Sequence, residues 1–95
     1  MFLKDLAQIS KGTLLGESLK VNDFSIDSRS IKKGQLYVAL KGVNFDGHDF
    51  VEEALKKGAS AVVISKDLEG DFPRIIVKDT KEFINSIAAN NRKEF

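Results

Sequence analysis

The sequence predicts an α/β domain, small and three-layered, with a mainly parallel sheet. Three neighbouring segments carry that expectation. Leu36-Tyr37-Val38-Ala39-Leu40 is an unbroken apolar run between Gly34 and Gly42, the pattern of a strand covered on both faces. Asp49 followed by Glu52 has the form of a capping box, and Phe50, Val51, Ala54 and Leu55 then make one apolar stripe ending at Gly58, so a helix of about three turns is expected. Ala61-Val62-Val63-Ile64 reads as a second buried strand. Strand, helix and strand in direct succession form a βαβ unit, whose two strands run parallel.

The other elements follow from the same rules. Phe2, Leu3, Leu6 and Ile9 recur at helical spacing, and Ser10-Lys11-Gly12 supplies a polar stretch and then the glycine expected just past a helix end. From there to Asp27 the pattern alternates loosely, which predicts one or two short strands with Val21, Phe24 and Ile26 turned inward. Leu68-Glu69-Gly70-Asp71 is expected as an exposed turn, and Arg74-Ile75-Ile76-Val77, after Pro73, as a third core strand. Asp79 or Thr80 can cap a last helix in which Phe83, Ile84, Ile87 and Ala88 share a face.

Composition narrows the function. The 95 residues suit a single domain over 1–95, with 42% hydrophobic and 31% charged residues as in ordinary globular proteins. Fifteen Lys plus Arg against fourteen Asp plus Glu leave a net charge of +1, without the basic excess that nucleic acid requires, so neither nucleic acid nor a membrane is expected as partner. The absence of cysteine excludes disulfides, thiol catalysis and Cys-based zinc sites, and the single His makes a multi-His metal site or a Ser/His pair hard to build. The opening Met1-Phe2-Leu3-Lys4-Asp5 lacks a secretory pattern and no stretch reaches the roughly 20 apolar residues that span a bilayer, so the expected location is cytoplasmic.

Two loops are candidates for chemistry. Gly42-Val43-Asn44-Phe45-Asp46-Gly47-His48-Asp49 leaves the carboxyl end of the central strand, where ligands of open α/β sheets collect. Its glycines would let a ligand approach the backbone and Phe45 could stack on a base; alternatively Phe45 and Phe50 simply staple the helix start. Asp27-Ser28-Arg29-Ser30 sets a hydroxyl beside a guanidinium, a pair suited to phosphate oxygens, although a surface Asp–Arg pair is the commoner explanation of such a turn. His48 between Asp46 and Asp49 invites a metal or general-base reading, but a helix-entry arrangement with the His donating to a backbone carbonyl is favoured. Gly12 and Gly16 do not form a phosphate loop, because the spacing is short and Glu17 stands where Lys is needed. Lys32-Lys33 and Lys56-Lys57 read as solvated faces, the first pair near the Ser-Arg turn.

Asp27-Ser28-Arg29, the run Gly34 to Gly42, Phe45-Asp46-Gly47-His48-Asp49-Phe50, Ala54 and Gly58-Ala59 together resemble the N-terminal domain of the Mur ligases, from about Phe24 to Ile64. The Phe-Asp-Gly-His-Asp-Phe form is more similar to the D-alanyl-D-alanine-adding branch than to the branch that adds the third residue. The family commonly has Asp where Gln35 stands and Phe where Tyr37 stands. The resemblance implies the N-terminal domain of a larger ATP-dependent ligase of peptidoglycan precursor synthesis. Its partners would be UDP-N-acetylmuramoyl-peptide and the central and C-terminal domains of the same chain. It implies no cofactor in this domain, with ATP and Mg2+ used by the full-length enzyme, and no catalytic residue here. Ser28 and Arg29 would face the diphosphate or ribose, while Gly42, Asn44, Phe45, Asp46, Gly47 and His48 would frame the uracil and its phosphates. The competing expectation is a stand-alone regulatory or protein-interaction module that uses the same fold without a nucleotide.

Overall fold

The computed structural model describes residues 1–93. In chain order the elements are α1 (Leu3–Ser10), β1 (Thr13–Leu15), β2 (Phe24–Ser25), β3 (Leu36–Val38), α2 (Val51–Lys56), β4 (Ala61–Ile64), β5 (Arg74–Ile76) and α3 (Thr80–Lys93), with a 3-10 turn over Gly47–Phe50 leading into α2. The sheet order is β1-β5-β4-β3-β2, and every pairing is parallel except that of β1 with β5. The expected βαβ unit is β3-α2-β4, with Leu36 opposite Ala61 and Val38 opposite Val63.

Side-chain alternation divides the interior into two halves, one on each face of the sheet. Leu36, Val38, Ala61, Val63, Ile75 and Val77 face α1 and α3, which contribute Leu3, Leu6, Phe83 and Ile87. Tyr37, Ala39, Val62 and Ile64 face the other way, toward Val51 and Ala54 of α2. This is the three-layer arrangement, and it explains why the β3 and β4 sequences are apolar without interruption. The return from β4 to β5 contains no helix; Leu68 and Phe72 of that loop pack beside α2 and cover the sheet there.

Several local expectations are corrected. The left-handed residue ending α1 is Lys11 (φ 59°), and Gly12 is required for packing, since a Cβ on it would lie 2.7 Å from Val77 Cγ1 and 2.8 Å from Ile75 Cγ2. Ile26 is not inward but 47% exposed, because it lies beyond the short β2. On α3, Phe83 and Ile87 are buried whereas Ala88 is exposed. The cap of α3 is Asp79, whose Oδ1 accepts the Lys81 N–H at 2.8 Å, with Thr80 the first helical residue.

Candidate functional site

The first loop is built by a tight reversal after β3. The Gly42 N–H donates to the Phe45 carbonyl and the Gly47 N–H to the Leu40 carbonyl, both at 2.6 Å, while Lys41 and Asp46 form an antiparallel bridge. Val43 and Asn44 are thereby pushed into solvent at the tip. Asp46 then caps the 3-10 turn, its Oδ1 accepting the His48 N–H at 3.0 Å. The cap is therefore Asp46 and not Asp49. Phe45, one residue before the cap, stacks on Phe50 with centroids 5.4 Å apart and planes 14° apart, the geometry of a hydrophobic staple. Both residues remain partly exposed to solvent.

Gly47 cannot serve ligand approach. It is buried, and a Cβ there would lie 2.8 Å from both the N and O of Leu40 and 3.0 Å from the Tyr37 hydroxyl. Tyr37 donates its O–H to the Gly47 carbonyl at 2.8 Å, tying β3 to the turn. Burial, followed by the negative charges of Asp27, Asp46 and Glu53, pushes the Tyr37 phenol up to about 12.

His48 is also buried. Its Nδ1 lies 2.6 Å from Asp46 Oδ1, and its Nε2 accepts the Ser65 N–H at 3.0 Å, so the proton sits on Nδ1 and is donated to the carboxylate. The expectation of donation to a backbone carbonyl is corrected: the acceptor is Asp46, and the ring joins the turn to the end of β4. The backbone and side-chain donors of His48 hold the Asp46 carboxyl down to about 2. Among the described residues no group of three or more His, Cys, Asp or Glu could hold a metal.

The second loop is ordered by its own acid. Asp27 Oδ1 accepts the Arg29 backbone N–H at 2.9 Å and Nε at 3.2 Å, while Oδ2 accepts Nη2 at 3.2 Å. This fork holds the Asp27 carboxyl below its ordinary value. Ser28 is buried, and its Oγ donates to Glu53 Oε2 of α2 at 3.4 Å.

Both loops open onto one cleft of about 600 Å3, lined by Ile26, Asp27, Ser28, Arg29, Phe45, Phe50 and Glu53. A second cleft of about 690 Å3 shares Ile26 and Phe45 with it, and reaches Gly42, Ser65 and the lysines Lys41, Lys78 and Lys81 at the carboxyl ends of the parallel strands. Of the residues singled out from the sequence, Ser28, Arg29 and Phe45 meet in the first cleft and Gly42 lines the second. Asn44 lies at the exposed tip, and Asp46, Gly47 and His48 form the support behind the hairpin. Ile26, Glu53, Ser65, Lys41, Lys78 and Lys81 were not anticipated. Glu53 was accessible to helical periodicity, three residues after Phe50, whereas Lys78 and Lys81 come near Lys41 only through the sheet order.

A mostly parallel five-stranded sheet with clefts at the carboxyl ends of its strands and helices on both faces defines a three-layer α/β domain. The sequence pattern described as "Mur ligase family, catalytic domain" matches residues 20–92, and the chain belongs to the Mur ligase family. The UDP-N-acetylmuramoyl-tripeptide--D-alanyl-D-alanine ligase of Escherichia coli (strain K12) is 39% identical over 92 residues, covering 97% of this chain and 20% of that protein. The UDP-N-acetylmuramoyl-L-alanyl-D-glutamate--2,6-diaminopimelate ligase of Aquifex aeolicus (strain VF5) is 41% identical over 69 residues, covering 73% of this chain and 14% of that protein. In fold, MurF from Acinetobacter baumannii superposes with a TM-score of 0.89 at 23% identity over 96% of this chain and 21% of its own. MurF ligase from Thermotoga maritima, solved in complex with ADP, superposes at 0.73 with 29% identity over 84% of this chain and 19% of its own. The D-alanyl-D-alanine-adding relative thus matches almost the full chain, as the loop form suggested, and the chain spans about a fifth of the length of that relative.

Gly12 and Gly16 do not form a cradle for the phosphates of ATP. Gly12 packs against β5 and Gly16 sits against Pro73, so the only closely spaced glycines of that region belong to an edge strand rather than a phosphate cradle.

Proposed function

We propose that this chain is the N-terminal part of a D-alanyl-D-alanine-adding Mur ligase and that its role is to hold the UDP end of UDP-N-acetylmuramoyl-peptide. ATP, Mg2+ and bond formation then belong to the central and C-terminal domains. The observation that carries the reading is that the Asp27-Ser28-Arg29 turn and the Phe45 hairpin, distant in sequence, line one open cleft. Its wall is apolar at Ile26, Phe45 and Phe50, which suits a pyrimidine face, and Glu53 can accept from a base N–H. Two carboxylates in that cleft disfavour a diphosphate there. The diphosphate is better placed over the Phe45 and Ile26 ridge, toward Lys41, Lys78 and Lys81. Arg29 stands at the rim, positioned by Asp27 and free to reach ribose or phosphate. The reaction chemistry itself has no counterpart here; this chain binds and orients.

Amide NMR titration of the chain with UDP tests the reading. Shifts are expected around Ser28, Arg29, Phe45, Glu53 and Lys78 at millimolar ligand, the weak affinity reflecting the small contact area of an open cleft. Arg29→Ala should weaken UDP binding about tenfold through loss of a charge-assisted contact, with the unfolding midpoint unchanged because the Asp27–Arg29 pair is at the surface. Absence of shifts at both loops would overturn the assignment.

A further inference from the structure

Among the described residues two titratable side chains are buried behind the site, Tyr37 and His48; Tyr37 ties the turn to β3, and His48 ties it to the end of β4. Its two nitrogens are both committed: Nδ1 faces Asp46 Oδ1 and Nε2 faces the Ser65 N–H. The elements joined in this way are the two sides of the second cleft. The hairpin carries Lys41, Gly42 and Phe45, and Ser65 follows β4 directly.

We propose that His48 is a positioning residue whose neutral, Nδ1-protonated imidazole latches the Phe45 hairpin to the end of β4, and that a proton added at Nε2 releases the latch. The physical reason is a clash of donors. A protonated Nε2 would point its N–H at the N–H of Ser65, which has lost its acceptor. Ser65 Oγ, 3.4 Å from Nε2, can accept from the charged ring only after the chain at Ser65 turns its N–H away. The imidazole side chain is 2% exposed, so water cannot take up the new donor without local opening.

The charges facing the ring determine how the proton is received. Asp46 lies against Nδ1 and its other oxygen is 3.5 Å from Lys66 Nζ, so that carboxylate is shared between two cations once the ring is charged. Asp49 and Glu52 at the start of α2, and Glu69 of the β4–β5 loop, line the open hollow on the other side of the ring with Leu55, Leu68 and Phe72. Tyr37 of β3 is neutral across this range and keeps its bond to Gly47. In the closed geometry the Ser65 N–H leaves Nε2–H without a partner. Uptake of the proton and movement of Ser65 are therefore one event. The consequence for nucleotide affinity rests on the function proposed above; the latch itself does not.

The test uses the 95-residue chain with 15N-labelled histidine. At about pH 8 the imidazole should show the Nδ1–H tautomer, and on acidification toward about pH 5 the Ser65 amide and the Phe45 and Phe50 ring signals should move with the same midpoint as the imidazole nitrogens. An Nε2–H tautomer, an imidazole that titrates without Ser65 and Phe45, or one that stays neutral down to pH 5 would each overturn the latch. His48→Gln keeps an acceptor for Ser65 without a titrating group, and should abolish the pH-dependent movement; its persistence in that variant also overturns the proposal. UDP-glucose, whose diphosphate diester does not titrate in this range, should bind several-fold more weakly at the lower pH to the wild-type chain but not to His48→Gln. Binding at neither pH would count against the nucleotide reading alone, the latch being decided by the tautomer and the Ser65 amide.

Discussion

The Tyr37 hydroxyl joins the central strand to the turn that carries the candidate site, and it does so with one hydrogen bond to a buried carbonyl. Tyr37→Phe leaves the ring packing intact and the Gly47 carbonyl without that donor, so a loss of about 1–3 kcal/mol in urea unfolding is expected. A loss below about 0.5 kcal/mol would mean that Gly47 finds another donor. Because burial raises the phenol to about 12 from 10.0, the stability it contributes is complete below 10.0 and disappears as pH rises through about 12, so alkaline unfolding should be steeper in the wild type than in Tyr37→Phe. Phe45 is a helix staple, stacked on Phe50, and it also lines the cleft; Arg29 is paired to Asp27 and lines the same cleft.

At the scale of elements, the start of α2 shows why a motif with the right letters can be misplaced. Asp46 and Asp49 both precede an acidic residue at the third position, so the capping pattern occurs twice in succession. Asp46 is selected because Gly47 allows the backbone to pass against Leu40 and because His48 supplies a second donor to the same oxygen. The helix consequently begins as a 3-10 turn, and its α part is limited to Val51–Lys56. With the Asp46 carboxyl lowered to about 2 from 3.8, its contribution is present above 3.8 and is lost as pH falls through about 2. Thermal unfolding should therefore show the wild type losing stability relative to Asp46→Asn between those two values; parallel curves would remove the cap from the account.

For the whole molecule, the decisive feature is a sheet covered on both faces by different means. α1 and α3 cover one face. The other is covered by the short α2 with Leu68 and Phe72 from a helix-free loop. Phe83 is the largest side chain that α3 buries against the sheet, so Phe83→Ala should cost about 3–5 kcal/mol in chemical denaturation, whereas Ala88→Ser, on the exposed side of the same helix, should change stability by less than about 0.5 kcal/mol. Equal effects would mean that α3 is not docked through Phe83. No helix among the described residues is long and apolar enough to cross a membrane.

The sequence alone determined the βαβ unit, the positions of the helices and core strands, the two loops and the family resemblance, because periodicity and capping chemistry are local and record which side of each element is buried. It could not place the ridge of Ile26 and Phe45, the carboxylate of Glu53 beneath Ser28, or Lys41 beside Lys78 and Lys81. Those depend on strand order, and the order β5-β4-β3-β2 is decided by how two half-cores close around the sheet. The same is true of His48: its neighbours in the chain suggested a partner in the loop, and only the folded sheet brought Ser65 to its other nitrogen.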